Sequence, residues 1–209
     1  MRASFTEMRG ALEAYAQEHR IPIVRPETLE LVLTMIRQQR PARILELGTA
    51  IGYSALAMAE EMAKYTTPRI TTIEKNPNMI EASRAHIASS VYRTQIEVVE
   101  SDAVEWLERA SADNSGSTAP KRYDLIFIDA AKAQYLRYFQ GAERLLSERG
   151  VILCDNVWFR AKPDDKRYKT IRKRLEEFRN YLEHHEHFAT TWYDIEDGLS
   201  VSERRDRKD

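Results

Sequence analysis

The sequence predicts a doubly wound α/β fold: a mostly parallel seven-stranded sheet with helices on both faces and a C-terminal antiparallel hairpin. Three observations carry that expectation. Short β-branched runs alternate with longer segments of helical period, a glycine-bearing turn follows the first of these runs, and a hairpin signal stands close to the C-terminus.

The first forty residues have helical character, broken at Ile21-Pro22 and again at Pro26, and are expected to cap a site or make a subunit contact. Strands are expected over residues 43–46, 70–73, 96–99, 125–128 and 151–154, and helices over 54–64, 78–89, 103–110 and 135–146. After Asp155 the alternation changes. A charged helix over 168–185 precedes TTWYDIEDGLSVSE, where two strand-like runs flank Glu196-Asp197-Gly198. Asp-Gly tolerates the positive φ of a tight hairpin turn. The stretch 111–120 (SADNSGSTAP) is polar and turn-rich, and reads as a surface loop rather than a domain linker.

With 209 residues, 43% of them hydrophobic, and a mass of 24.3 kDa, the chain can bury one sizeable core. A single domain is therefore expected over 1–209, with 1–40 as its helical cap. The 32 basic and 33 acidic residues nearly cancel, so no global field declares a nucleic-acid or membrane partner, and any charge signal is local. One cysteine, Cys154, cannot make an internal disulfide, and MRASFTEMRGALEAYA has no apolar run of signal-peptide or membrane-spanning kind. A cytoplasmic location is expected.

Open α/β sheets bind ligands beyond the carboxyl ends of their strands, so the residues that follow each strand are the informative ones. The first strand runs into Glu46-Leu47-Gly48-Thr49-Ala50-Ile51-Gly52-Tyr53-Ser54. Its glycines are four apart and do not make the G-x-G-x-x-G turn that approaches a pyrophosphate. A ligand without phosphates, such as S-adenosylmethionine, fits better: Gly48 admits backbone to its methionine part and Ser54 can hydrogen-bond the polar end. The plainer alternative is a tight strand-to-helix turn. Glu74 ends the second strand, where a carboxylate can accept from both ribose hydroxyls. Ser101-Asp102-Ala103 follows the third, where Asp102 either meets an adenine amino group or caps a helix.

The fourth strand ends in Asp129-Ala130-Ala131-Lys132 and the fifth in Asp155-Asn156. Neighbouring strand ends lie about 5 Å apart, so three oxygen donors converge. Two carboxylates and an amide suit a hard divalent cation, Mg²⁺ or another such as Mn²⁺, better than zinc. Lys132, three residues beyond Asp129, can face the same substrate oxygen. The expected chemistry is metal-assisted ionisation of a hydroxyl, with Lys132 taking or relaying its proton and the oxygen attacking the sulfonium methyl in line. A surface lysine at a helix start is the plainer alternative.

Together ELGTAIGYSALAMA, TTIEKN, FIDAAK and LCDNV resemble the metal-dependent O-methyltransferases that include catechol and caffeoyl-CoA O-methyltransferases. The resemblance runs from about Arg43 through Val157 and implies a Rossmann-like class I methyltransferase fold. It also implies Asp129, Asp155 and Asn156 as metal ligands and Lys132 as the catalytic lysine. Glu46, Gly48, Ser54, Glu74, Asp102, Ala103 and Asp129 would form the S-adenosylmethionine site, and the protein would be a homodimer. LEAYAQEHRIPIV, YDLIFIDAAKAQY, DNVWF and DGLSVS are most similar to the bacterial tRNA 5-hydroxyuridine methyltransferases within that family, which implies the tRNA anticodon loop as partner.

Local charge bears on the acceptor. Arg160, Lys162, Lys166, Arg167, Lys169, Arg172, Lys173 and Arg174 follow the metal ligands against only Asp164 and Asp165. They could hold anticodon phosphates, with Trp158, Phe159 or Tyr135 stacking on an unpaired base. A solvated basic helix face is the plainer reading. The rival acceptor is a small catechol-like or CoA-ester molecule. His184, His185 and His187 are expected to be helix-end residues rather than a metal cluster, and Cys154 a buried small residue.

Overall fold

A computed structural model describes residues 2–112, 122–160 and 165–205. The first helix, α1 (Phe5–His19), opens with a capping box: Ser4 N–H donates to Glu7 Oε2 at 2.7 Å, and Glu7 N–H donates to Ser4 Oγ. It stops at Arg20, which turns left-handed with φ 54°. An extended strap over 21–25 leads to α2 (Pro26–Gln39), where Pro26 occupies the first turn, the one part of a helix with no use for its missing N–H.

Five parallel strands follow, β1 (Ile44–Leu47), β2 (Ile70–Glu74), β3 (Ile96–Glu100), β4 (Tyr123–Ile128) and β5 (Leu146–Asp155). The helices between them are α3 (Tyr53–Met62), α4 (Pro77–Ser89), α5 (Ala103–Ala112) and α6 (Tyr135–Leu145). Then come α7 (Lys169–Glu183) and the antiparallel pair β6 (Phe188–Tyr193) and β7 (Leu199–Arg204). The seven strands lie in the order β3-β2-β1-β4-β5-β7-β6. This is the mixed, doubly wound sheet expected from the sequence.

Period-two alternation divides the core between the two faces. Ile44, Leu125, Phe127, Val151 and Leu153 pack beneath α1, α2 and α3, while Leu45, Leu47, Ile126, Ile128, Ile152 and Cys154 pack beneath α5, α6 and α7. Cys154 is fully buried, and burial pushes its thiol well above the usual range, so it is the inert core residue expected.

Several boundaries differ from expectation by a residue or two, and that of β5 by more. Helix α5 continues through Ala112, so residues 111 and 112 are helical rather than loop; the remainder of that expected loop lies outside the described residues. Strand β5 begins at Leu146, directly from α6, because Leu146 pairs with Tyr123 before a register shift. Helix α3 ends at Met62, two residues early. Among the described residues no helix is long and apolar enough to cross a membrane.

Candidate active site

The strand order reverses between β1 and β4, which opens a crevice at their carboxyl ends. A cavity of about 430 Å³ lies there. One wall is the turn after β1. Gly48 has φ 100°, and a Cβ on it would stand 2.2 Å from the carbonyl oxygen of Asp129, so only glycine lets β1 and β4 approach this closely. Gly48, Thr49, Ala50 and Ser54 all line the cavity.

Glu46 does not line it. Its carboxyl is buried beneath the turn, accepting from Ser54 Oγ and from Thr72 Oγ1 at 2.6 Å, while Thr72 Oγ1 also meets Thr49 Oγ1 at 2.6 Å. Burial pushes Glu46 up to about 7, against the two hydroxyl donors. Glu46 therefore braces Ser54 directly and Thr49 through Thr72 from behind the cavity wall.

Glu74 lines the cavity with a carboxylate held by three backbone N–H groups: Ala50 at 3.0 Å and Lys75 and Asn76 at 2.9 Å each. A carboxylate has about four acceptor positions, so about one remains for a ribose hydroxyl. Ser101 and Ala103 also line the cavity, whereas Asp102 turns away. Asp102 accepts from the Val104 N–H at 2.9 Å and from Lys75 Nζ at 3.1 Å, so the helix-cap alternative holds.

Asp129, Asp155, Asn156 and Lys132 line the same cavity. The Asp129 N–H donates to Leu47 O at 3.0 Å, and Asp155 closes β5 beside β7. Asn156 takes φ 54°, and its N–H donates to Asp155 Oδ1 at 2.6 Å. Tyr135 holds this strand end from below, its buried hydroxyl donating to Asp155 O at 2.8 Å. Burial pushes the Asp129 carboxyl up, with Lys132 pulling against it. Burial and then repulsion from Asp129 push Asp155 up to about 8. Two buried acids that resist ionising together fit a divalent cation, whose charge would remove both penalties. Among the described residues no three His, Cys, Asp or Glu side chains cluster to hold a metal.

A match to the O-methyltransferase family model spans residues 8–205. The chain belongs to the O-methyltransferase family. It is similar to a catechol O-methyltransferase of Bos taurus, 30% identical over 74% of this chain and 56% of the relative. Among solved structures it resembles a candidate caffeoyl-CoA O-methyltransferase from Staphylococcus aureus, at 30% identity and TM-score 0.82, over 98% of this chain and 93% of that one. It also resembles the Podospora anserina methyltransferase PaMTH1 with S-adenosylhomocysteine bound, at 28% identity and TM-score 0.75, over 88% and 80% of the two chains. The chain spans about half the length of the curated relatives it matches.

Several wall residues of the cavity escaped the sequence reading. Pro22, Ile23, Val24 and Arg25 of the strap roof the cavity, and Tyr138 and Asp197 line its sides. The strap is tied to the β6–β7 turn by Arg25 Nη2, which donates to Asp197 Oδ2 at 3.2 Å, and by Thr28 Oγ1, which donates to Glu196 Oε2 at 2.6 Å. The proline break near residue 22 was the one sequence signal for this roof. Of the three candidate stacking aromatics only Phe159 lines the cavity, with Lys132 Nζ 6.0 Å from its ring centre. Tyr135 is buried beneath Asp155, and Trp158 packs on Gly198, where a Cβ would lie 2.0 Å from its ring. The histidines form no metal site: His185 Nε2 lies 3.1 Å from both Glu143 Oε2 and the Tyr181 hydroxyl, and His184 Nδ1 lies 2.9 Å from Asn180 O.

Proposed function

We propose that the chain is an S-adenosylmethionine-dependent O-methyltransferase assisted by a divalent cation. One observation carries this reading: a single cavity is lined by Gly48 and Glu74 together with Asp129, Asp155, Asn156 and Lys132. Glu74 orients the ribose, and the turn at Gly48 admits the methionine part without a side chain in the way. Asp129, Asp155 and Asn156 would hold the cation, which when bound supplies acidification of the acceptor hydroxyl. Lys132 takes the hydroxyl proton on Nζ, and the strap over 22–25 keeps water from the sulfonium.

For the acceptor we propose the 5-hydroxyl of the wobble uridine in tRNA, giving 5-methoxyuridine. Support comes from α7, which packs on the Lys132–Gln134 turn, carries Lys169 and Arg172 in a first turn without acids, and exposes Lys169, Lys173 and Arg174, with Lys166 exposed just before it. The positive end of a helix dipole adds to these charges, an arrangement suited to phosphate. Names among the relatives favour a second reading, a small catechol. We further propose a homodimer, which light scattering would test.

The deciding measurement is methyl transfer from labelled S-adenosylmethionine to tRNA carrying 5-hydroxyuridine, with catechol in parallel. Transfer to tRNA that is abolished by chelator and by Lys132→Ala is the expected result. Robust transfer to catechol with none to competent tRNA removes the RNA acceptor and leaves the O-methyltransferase.

A further inference from the structure

The strap brings one charged side chain into the cavity. Arg25 lines the cavity with Lys132, Asn156, Phe159 and Asp197. Its partner Asp197 receives the Arg160 N–H beside Phe159, whose ring Lys132 Nζ faces at 6.0 Å, so Arg25 stands on the Lys132 side, the acceptor end. Among the described residues its ion pair is with Asp197, a single contact from Nη2 at 3.2 Å, and its side chain is 57% exposed. An ion pair this open contributes little to stability, so exchanging one partner for another costs little.

Asp197 is held in place independently of Arg25. Its Oδ1 accepts from the Arg160 N–H at 3.3 Å, and its carbonyl accepts from the Trp158 N–H at 3.0 Å. The strap is held too, through the Thr28 bond to Glu196 one helical turn further on. The backbone of Arg25 is thus fixed at the acceptor end while its guanidinium is not. A guanidinium carries five N–H donors in a planar fork that matches carboxylate and phosphate oxygens, and one contact to Asp197 leaves most of them available.

Resting on the O-methyltransferase reading, we propose that Arg25 is a specificity-determining residue that binds an oxyanion carried by the acceptor. Asp197 is its partner when no acceptor is present. An acceptor with a carboxylate or phosphate near its reactive hydroxyl is then favoured over the neutral analogue, because the anion engages donors that a neutral molecule leaves to solvent.

Two matched acceptor pairs test this: catechol against 3,4-dihydroxybenzoate, and 5-hydroxyuridine against its 5′-monophosphate. The wild-type chain is expected to show the lower KM for the acidic member. Arg25→Gln raises the KM of the acidic member roughly tenfold more than that of the neutral member, the loss of one charge-assisted contact, and any change in kcat is shared by both members. Arg25→Lys recovers part of the loss. The pair that responds separates carboxylate from phosphate. Equal KM increases for acidic and neutral members, an increase confined to S-adenosylmethionine, or no change with any acceptor would each overturn the role of Arg25. No turnover of all four by wild type, with cofactor binding intact, sinks the O-methyltransferase reading and this inference with it.

Discussion

Gly48→Ala probes the closest backbone approach in the site. Gly48 holds φ 100°, and the added methyl would sit 2.2 Å from Asp129 O and 2.9 Å from Asp129 C. A carbon against a carbonyl oxygen settles at about 3.3 Å, so the ends of β1 and β4 must part by roughly 1 Å. Forcing a side chain into positive φ costs about 1–2 kcal/mol, and overpacking against backbone costs about 1–3 more. A total near 3 kcal/mol lowers Tm by roughly 10 °C in a domain of this size. The displaced strand end carries Asp129, so S-adenosylmethionine and divalent-cation affinities should fall together. Gly52→Ala is the comparator: Gly52 has φ 83°, but its Cβ would meet only the Ile87 side chain at 3.4 Å and Ser83 at 3.5 Å. It should lose about 1 kcal/mol from strain and leave ligand affinity intact. Scanning calorimetry and titration calorimetry on both variants provide the check. A Gly48→Ala protein with unchanged Tm and cofactor affinity, or equal losses in both variants, would refute the close-approach explanation.

Three further outcomes are expected. Glu46 is pushed from about 4.5 up to about 7 by burial, so its favourable contribution is complete below 4.5 and is lost as pH rises through 7. That gap is worth on the order of 3 kcal/mol; Glu46→Gln should therefore flatten denaturant-measured stability between pH 5 and 7.5, and an unaltered slope would count against it. Because Asp155 sits at about 8 without a cation, divalent-metal binding should strengthen between pH 6.5 and 8.5 and release protons, visible as a buffer-dependent calorimetric enthalpy. Asp155→Asn should weaken that binding by about a hundredfold or more, and a pH-independent affinity would contradict the buried-pair account. Gly10, inside α1 with nothing within 4 Å of a built Cβ, can become Ala with a gain of about 0.5–1 kcal/mol, read from the denaturation midpoint; a loss would mean that the position serves packing not seen within one chain.

The parallel strands, the helices between them, the terminal hairpin and the residues at the strand ends were legible in the sequence. Each follows from interactions over a few residues: period-two burial, Pro26 at a helix start, Asp-Gly at a turn. Because the strands run parallel, naming the residues after β1, β2, β4 and β5 already named most of the cavity. Which of the first forty residues roof it was not legible. Arg25 meets Asp197 across 172 positions, a distance that no local pattern spans and that only the placing of β7 beside β5 closes. Asp102 and Glu46 occupy strand-end positions like those of Glu74 and Asp129, yet one caps α5 and the other lies under the turn. Which way a strand-end side chain points depends on the donors that the neighbouring elements bring to it. The sequence by itself determined the order of the elements and the residue types at the carboxyl edge, because periodicity and turn chemistry are local. Only the tertiary structure decided which of those side chains face the cavity, which support it from behind and what covers it, because packing brings together groups that the chain keeps apart.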